Sequence, residues 1–381
     1  MDRKPIYLDY NATTPIDPAV AEEMLPYLRE KFGNPSSGHF FGVEARKGLE
    51  NARLQTARML GCKPEEIIFT SGGTESNNMA ILGAAMANKS KGNHIITSSI
   101  EHPAVMEVCL HLENLGYEIT HLEVDRYGRV SPADLERALR PETILVTIMH
   151  ANNEVGTIQP VRQLAEIARR KGVLFHTDAA QSIGKIPVSA AELGVDLLSA
   201  AGHKLYAPKG VGALYLRSGV ELEQIIYGAN QERGLRPGTE NILEIVGLGK
   251  AAELILENLY AYREHLQKMR DELESRLMES IPEIQINGHP KHRLPNTSSV
   301  SFPGMQADQI ISHLESVAVS AGAACHTGEI EISYVLRAMK IPPEAAIGTV
   351  RISVGRQTTS EEIDQAVQEI NCVIRKLRKN I

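Results

Sequence analysis

No run of about 18 apolar residues occurs in this 381-residue chain, so no segment is suited to cross a membrane as a helix. Basic blocks are missing too. Lys and Arg number 40 against 47 Asp and Glu, a net charge of -7, which speaks against a surface that tracks a phosphate backbone. The four cysteines (Cys62, Cys109, Cys325, Cys372) are scattered with no CxxC pair. That pattern excludes a disulfide framework or a cysteine zinc site and fits a reducing compartment. The first residues, "MDRKPIYLDYNATTP", are charged and broken by prolines, unlike a secretory signal. There are no repeats, low-complexity tracts or Pro/Gly/Ser linkers. The expectation is a cytoplasmic globular protein with no direct nucleic-acid partner, no membrane attachment and no metal.

What is present is a rhythm. "EIIFT" (66–70), "HIITSS" (94–99), "YEITHLEV" (117–124), "TILVTIMHA" (143–151), "VLFHTD" (173–178), "DLLSAA" (196–201) and "VGALYL" (211–216) are short β-branched runs interleaved with helical spacing. Seven such runs predict an α/β fold with a mainly parallel seven-stranded sheet covered by helices on both faces. Beyond about residue 245 the texture changes to a long helical stretch ending near 280. Apolar segments at 297–303 and 349–355 and a last helix over 360–378 then suggest a smaller α+β domain. The expected division is a large domain over 15–255, and a small domain from 1–14 and 256–381.

Ligands of open parallel sheets collect beyond the C-terminal strand ends, and the unusual residues of this chain lie there. "TSGGTES" (70–76) turns from strand into helix, so backbone N–H groups, Gly73 and the Thr74 hydroxyl can cradle a phosphate. It is neither a P-loop nor GxGxxG, and alone a Gly-Gly turn is as well explained by structure. His102 follows the next strand, where a histidine is commonly only a cap. Asn152, Asn153 and Glu154 follow another and could simply form a turn. Asp178 closes "VLFHTD", Gln181 lies three residues on, and Lys204 follows "DLLSAA". Taken one at a time these are ordinary. Together they are the set that pyridoxal 5'-phosphate requires: a phosphate cradle, a lysine for the aldehyde and a carboxylate to keep the pyridine nitrogen protonated. Gln181 and Asn153 can serve the ring oxygen, and His102 can stack on the ring.

At these residues the sequence resembles the cysteine desulfurases and selenocysteine lyases of the class V aminotransferase group (PLP fold type I). The resemblance rests on "YLDYNATTP" (7–15), "FGNPSSGH" (32–39), "TSGGTESNN" (70–78), "EHPAV" (101–105), "NNEVGT" (152–157), "HTDAAQ" (176–181), "GHK" (202–204), "RPGTEN" (236–241) and "SAGAACHTG" (320–328). It implies Lys204 as the Schiff-base lysine, Asp178 as partner of the pyridine nitrogen, and His102 as the stacking acid–base residue. Gly73, Thr74 and His203 would bind phosphate. Thr239 would reach the phosphate of the other subunit, implying a homodimer. Asn34 and Arg351 would hold the substrate carboxylate, and Cys325 would form the persulfide. The residues around Cys325 are small and then charged, which independently reads as a mobile, exposed cysteine loop at about 322–334. Arg351, inside an apolar strand, is either paired structurally or offers a fork to a carboxylate.

Two departures from the family stand out. Ala201 occupies a place where the family often carries a serine, removing one phosphate hydroxyl. The chain also ends at "VIRKLRKNI", short of the tail with which housekeeping desulfurases contact an iron–sulfur scaffold. The expected reaction is conversion of L-cysteine to L-alanine, with sulfur passing through Cys325 to an acceptor protein. L-selenocysteine is the alternative substrate, and another class V enzyme a more distant one.

Overall fold

The computed structural model describes residues 5–322 and 332–379. Seven strands form the large sheet: β1 (Ile67–Thr70), β2 (His94–Ser98), β3 (Glu118–Leu122), β4 (Thr143–Thr147), β5 (Leu174–Asp178), β6 (Leu197–Ala201) and β7 (Gly212–Leu216). Their order is β1-β7-β6-β5-β4-β2-β3. Only β7 runs antiparallel to its neighbours; every other pairing is parallel. All seven runs read from the sequence are therefore strands of one sheet, and the α/β class holds.

The reason lies in burial. Every residue of β1, β2, β4, β6 and β7 is buried, so both faces need apolar side chains. One face carries Phe69, Ile96, Val146, Phe175 and Leu198; the other carries Ile68, Ile95, Leu145, Leu197 and Leu214. The edge strand β3 is only partly covered and correspondingly more polar. The helices between strands start where the sequence can cap them. His102 accepts the Ala104 N–H ahead of helix Pro103–Asn114, and Pro132 opens helix Pro132–Ala138. The preceding Ser131 sits at the N-cap but makes no side-chain capping bond.

Helix Ile242–Ser280 runs 39 residues, roughly 60 Å. Its first turns, through Ile255, pack on the large-sheet core. Leu266, Met269, Leu273 and Leu277 belong to a second core with Val300, Phe302, Ile352 and the C-terminal helix Ser360–Arg378. That second core lines a four-stranded antiparallel sheet made of β8 (Gln285–Asn287), β9 (Thr297–Ser301), β10 (Ser320–Ala321) and β11 (Thr349–Ser353), in the order β10-β11-β9-β8. The N-terminal arm joins it: Ile6–Tyr7 pairs in parallel with Val317–Ala318, and Asp9 bridges Ser353. Leu294, Val335, Leu336 and Met339 pack instead with the large-sheet core, so the later part of the chain contributes to both.

Candidate active site

Six strands of the large sheet end at one edge, and the loops leaving five of them line a cavity of about 410 Å3. Gly73 and Thr74 come from β1, His102 from β2, Asn153 from β4, Asp178 and Gln181 from β5, and His203 and Lys204 from β6. Arg351, from the middle of β11, closes the cavity with Asn11 and Ala12 of the N-terminal arm. Nine residues singled out in the sequence thus meet in one place. Asn34 and Thr239 do not. Both are exposed outside this cavity, and the Asn34 side-chain oxygen accepts the Ser36 N–H. Cys325 lies outside the described residues.

The acid is fixed by its own neighbourhood. Asp178 Oδ1 accepts from Ala180 N (2.9 Å) and Oδ2 from Asn77 Nδ2 (2.8 Å). Asn77 lies one helical turn beyond Gly73, on the same side of helix Gly73–Ala87, and sequence reading assigned it no role. Lys204 follows β6 in a short 3₁₀ turn, and its Nζ donates to the backbone oxygens of Asn11 (2.5 Å) and Ala12 (2.7 Å). Burial, reinforced by the positive charge of Arg351, lowers its pKa to about 8, although Asp178 and Asp9 pull the other way. A lysine so poised supplies a neutral amine near physiological pH.

His102 is exposed to the open cavity, while the protein around it still strips part of the hydration its cation would have. That desolvation lowers its pKa and the charge of Lys204 adds to it, while Asp178 opposes both. His203 is pushed down to about 4 by burial and by Lys204, Lys209 and His102; its Nδ1 pairs with Thr13 Oγ1 (3.2 Å). Behind His102, Glu101 is fully buried. It takes the Ser98 hydroxyl (2.5 Å) and the Met149 N–H, and burial raises its pKa to about 8.

Arg351 donates through Nη2 to Asp9 Oδ1 (2.8 Å) and through Nη1 to the Asn153 carbonyl (3.3 Å). Its Nε is buried with no partner among the described residues. Both readings of this arginine therefore have support: it is paired, and among the described residues one donor is left over. Glu154, next in the chain, accepts the Ser333 hydroxyl (2.5 Å), and burial lifts its pKa to about 7.

The arrangement fits the aldehyde cofactor expected from the sequence. Asn153 Oδ1, Asn77 Oδ1 and Arg351 Nε are buried polar atoms without partners among the described residues. Helix Gly73–Ala87 has no side-chain cap at Gly72, leaving its first N–H groups available to an anion. Gly72 has φ 152° and open space where a side chain would stand. A methyl on Gly73 would come within 3.3 Å of the Ala201 methyl, so the cradle is narrow as well as short of a hydroxyl. The volume lies in the roughly 300–1,000 Å3 range of small-molecule sites.

Two cysteines elsewhere, Cys62 and Cys109, are poor nucleophiles. Burial pushes the Cys62 and Cys109 thiols up to about 12. Cys372 is exposed on the C-terminal helix.

Residues 6–366 match the family model described as aminotransferase class-V. The chain is 50% identical over 378 residues to the cysteine desulfurase IscS of Dictyoglomus turgidum, covering 99% of this chain and 96% of that one. Among solved structures it superposes on a NifS-like protein with a TM-score of 0.92 and 40% identity, covering 97% and 99% of the two chains. It also resembles a structure described as SspA in complex with cysteine, with a TM-score of 0.82, 36% identity, and 93% and 100% coverage.

Proposed function

The chain belongs to the class V aminotransferase family, and from that premise we infer a pyridoxal-5'-phosphate-dependent cysteine desulfurase that converts L-cysteine to L-alanine. The observation that carries this reading is the meeting of Lys204, Asp178, His102 and Arg351 around one cavity beside an uncapped helix N-terminus. When bound, the cofactor supplies an electrophilic carbonyl for the substrate amine and an electron-poor ring that accepts charge from the substrate α-carbon.

The chain's own residues do the rest. Gly73, Thr74 and His203 would receive the phosphate. Asp178, held by Asn77 and Ala180 N, would keep a proton on the ring nitrogen. Asn153 and Gln181 would serve the ring oxygen. Lys204 would hold the cofactor, and its neutral amine would take the substrate α-proton. His102 manages the thiol proton of the substrate. Arg351 takes the substrate carboxylate, and Asn34 is assigned the same group. Cys325, as thiolate, attacks the substrate sulfur; the electron pair of the C–S bond stays with carbon, which is protonated to alanine. Cys325 then holds a persulfide for a sulfur-acceptor protein.

We assign Thr239 to the phosphate of a second subunit, so the working unit is a homodimer with two composite sites. Its surroundings support this. Pro35, Ser36 and Glu240, neighbours of Asn34 and Thr239 in the chain, line a second open cavity of about 850 Å3. Phe32 and Phe41 stack beside it at 5.4 Å between ring centroids, and Phe32 is 71% exposed. Exposed stacked aromatics are what a partner surface covers. The division into residues 15–255 and 1–14 with 256–381, and a cytoplasmic location, complete the proposal. Among the described residues no helix is long and apolar enough to cross a membrane.

The test is stoichiometric. Wild-type protein supplied with cofactor and L-cysteine should release alanine and retain sulfur on Cys325 as a reducible persulfide. Cys325→Ala should keep the visible cofactor band and lose alanine production. If Cys325→Ala turns over cysteine at the wild-type rate, Cys325 is not the sulfur acceptor and the enzyme is a different lyase.

A further inference from the structure

A second lysine stands next to Lys204 and has been given no task. Lys185 is 6% exposed and does not line the main cavity. Its Nζ donates to Gln181 Oε1 (2.8 Å) and to Asn11 Oδ1 (3.0 Å). Among the described residues it has no carboxylate partner in an ion pair, and the charges that bear on it are the cations Lys204 and Arg351. We propose that Lys185 is a positioning residue of the cofactor site, fixing the amide faces of Gln181 and Asn11 so that Gln181 presents its NH2 group, and not its oxygen, to the cavity.

A primary amide offers two faces of nearly the same shape, and its neighbours decide which one points where. Gln181 Oε1 accepts only from Lys185 among the described residues, and its Nε2 donates to the Asn11 backbone oxygen at 2.9 Å. Turning that amide over would set NH2 against the N–H of Lys185 and oxygen against the Asn11 carbonyl. The Lys185 donor on one side and the Asn11 carbonyl on the other therefore together hold the amide in this sense. Asn11 depends on Lys185 less: its Oδ1 also accepts from Asn296 Nδ2 (2.9 Å), while its Nδ2 donates to the Asn153 carbonyl (3.0 Å) and Thr297 Oγ1 (2.8 Å).

Burial and the two neighbouring cations drive the Lys185 pKa well below the ordinary lysine range. Charged or neutral, the side chain has at least two N–H donors, one for each amide oxygen. Packing alone does not call for an amine here, since a methionine would fill similar space without the desolvation cost. The geometry explains the lysine by what its two hydrogen bonds hold in place.

The inference rests on the reading of this cavity as a pyridoxal phosphate site with Gln181 at the ring oxygen. A donor at that oxygen favours the form with greater negative charge there, and so lowers the pH at which the visible band of bound cofactor titrates. The full-length protein loaded with pyridoxal phosphate is compared with Gln181→Ala, Lys185→Met and the double variant. Each single variant should raise the midpoint by about one pH unit, the worth of one hydrogen bond to a charged group. The double variant should rise no further than Gln181→Ala, because both changes remove the same bond. Lys185→Met should melt at or above the wild-type temperature; Lys185→Leu gives the same reading should it fail to fold. A folded Lys185 variant with an unmoved midpoint, or a double variant whose shift is the sum, overturns the proposal. A wild type that takes up no cofactor overturns the underlying reading of the site and this inference with it.

Discussion

The two walls of the cavity are built by opposite means. On the large-sheet side each functional group sits at or just past the end of an apolar strand, and part of its bonding is local: Asp178 takes Ala180 N and His102 takes Ala104 N, while Asp178 also takes Asn77 Nδ2 and Lys204 reaches the N-terminal arm at Asn11 and Ala12. On the small-sheet side nothing is local. Arg351 pairs with Asp9, 342 residues away, and Asn11 reaches Thr297, Asn296 and Ser353. Strand ends place the groups of one wall, and the N-terminal arm then completes its bonding at Lys204, Gln181 and His203; the other wall has only long-range partners. A parallel sheet thus supplies the cofactor's surroundings from its topology, while substrate recognition is left to contacts that tertiary folding assembles.

The two walls should fail differently. Arg351→Ala, on the assembled wall, should raise KM for L-cysteine by about 100-fold with the cofactor band retained, since a carboxylate loses a charged donor. A KM within about threefold of wild type would break the division of labour. Asn11→Ala should cut across both walls. Steady-state assays and urea titration should show about tenfold weaker cofactor affinity and a loss of about 2–4 kcal/mol of stability, because four side-chain bonds and their partners are disrupted. Damage to the small-sheet side alone would mean that Asn11 does not couple the walls.

A third, smaller effect is read in pH. With Lys204 at about 8, its neutral fraction grows about fivefold between pH 7 and 8 and less than twofold above. Uptake of pyridoxal phosphate by the cofactor-free protein should follow that curve. Arg351 helps hold the lysine down, so in Arg351→Ala the midpoint should move upward. An unmoved midpoint would uncouple the walls electrostatically.

The same contrast governs what the sequence could disclose. The inner strands of the large sheet were legible because burial on both faces demands continuous β-branched runs, the edge strand β3 by its short run between turn residues, and a polar residue at the end of a buried run is conspicuous. Asp178, Lys204 and His102 stand out for that reason. The small sheet was half legible. β9 and β11 have apolar runs, but β8 and β10 are three and two residues long and carry no periodic signal. Asn11 was invisible as a hub, since its partners are scattered over the chain. Asn77 could have been found from its position one turn past Gly73. Asn34 and Thr239 came only from resemblance, and in a single chain neither reaches the cavity.

Two lysines, Lys185 buried and Lys204 half-buried, flank this site, and only one should carry the cofactor. Borohydride reduction of the loaded protein, followed by peptide mapping, asks which. One phosphopyridoxyl group per chain on the peptide containing Lys204, lost in Lys204→Ala, is the expected result. No adduct, or an adduct on Lys185 or on a surface lysine, would contradict the assignment of this cavity.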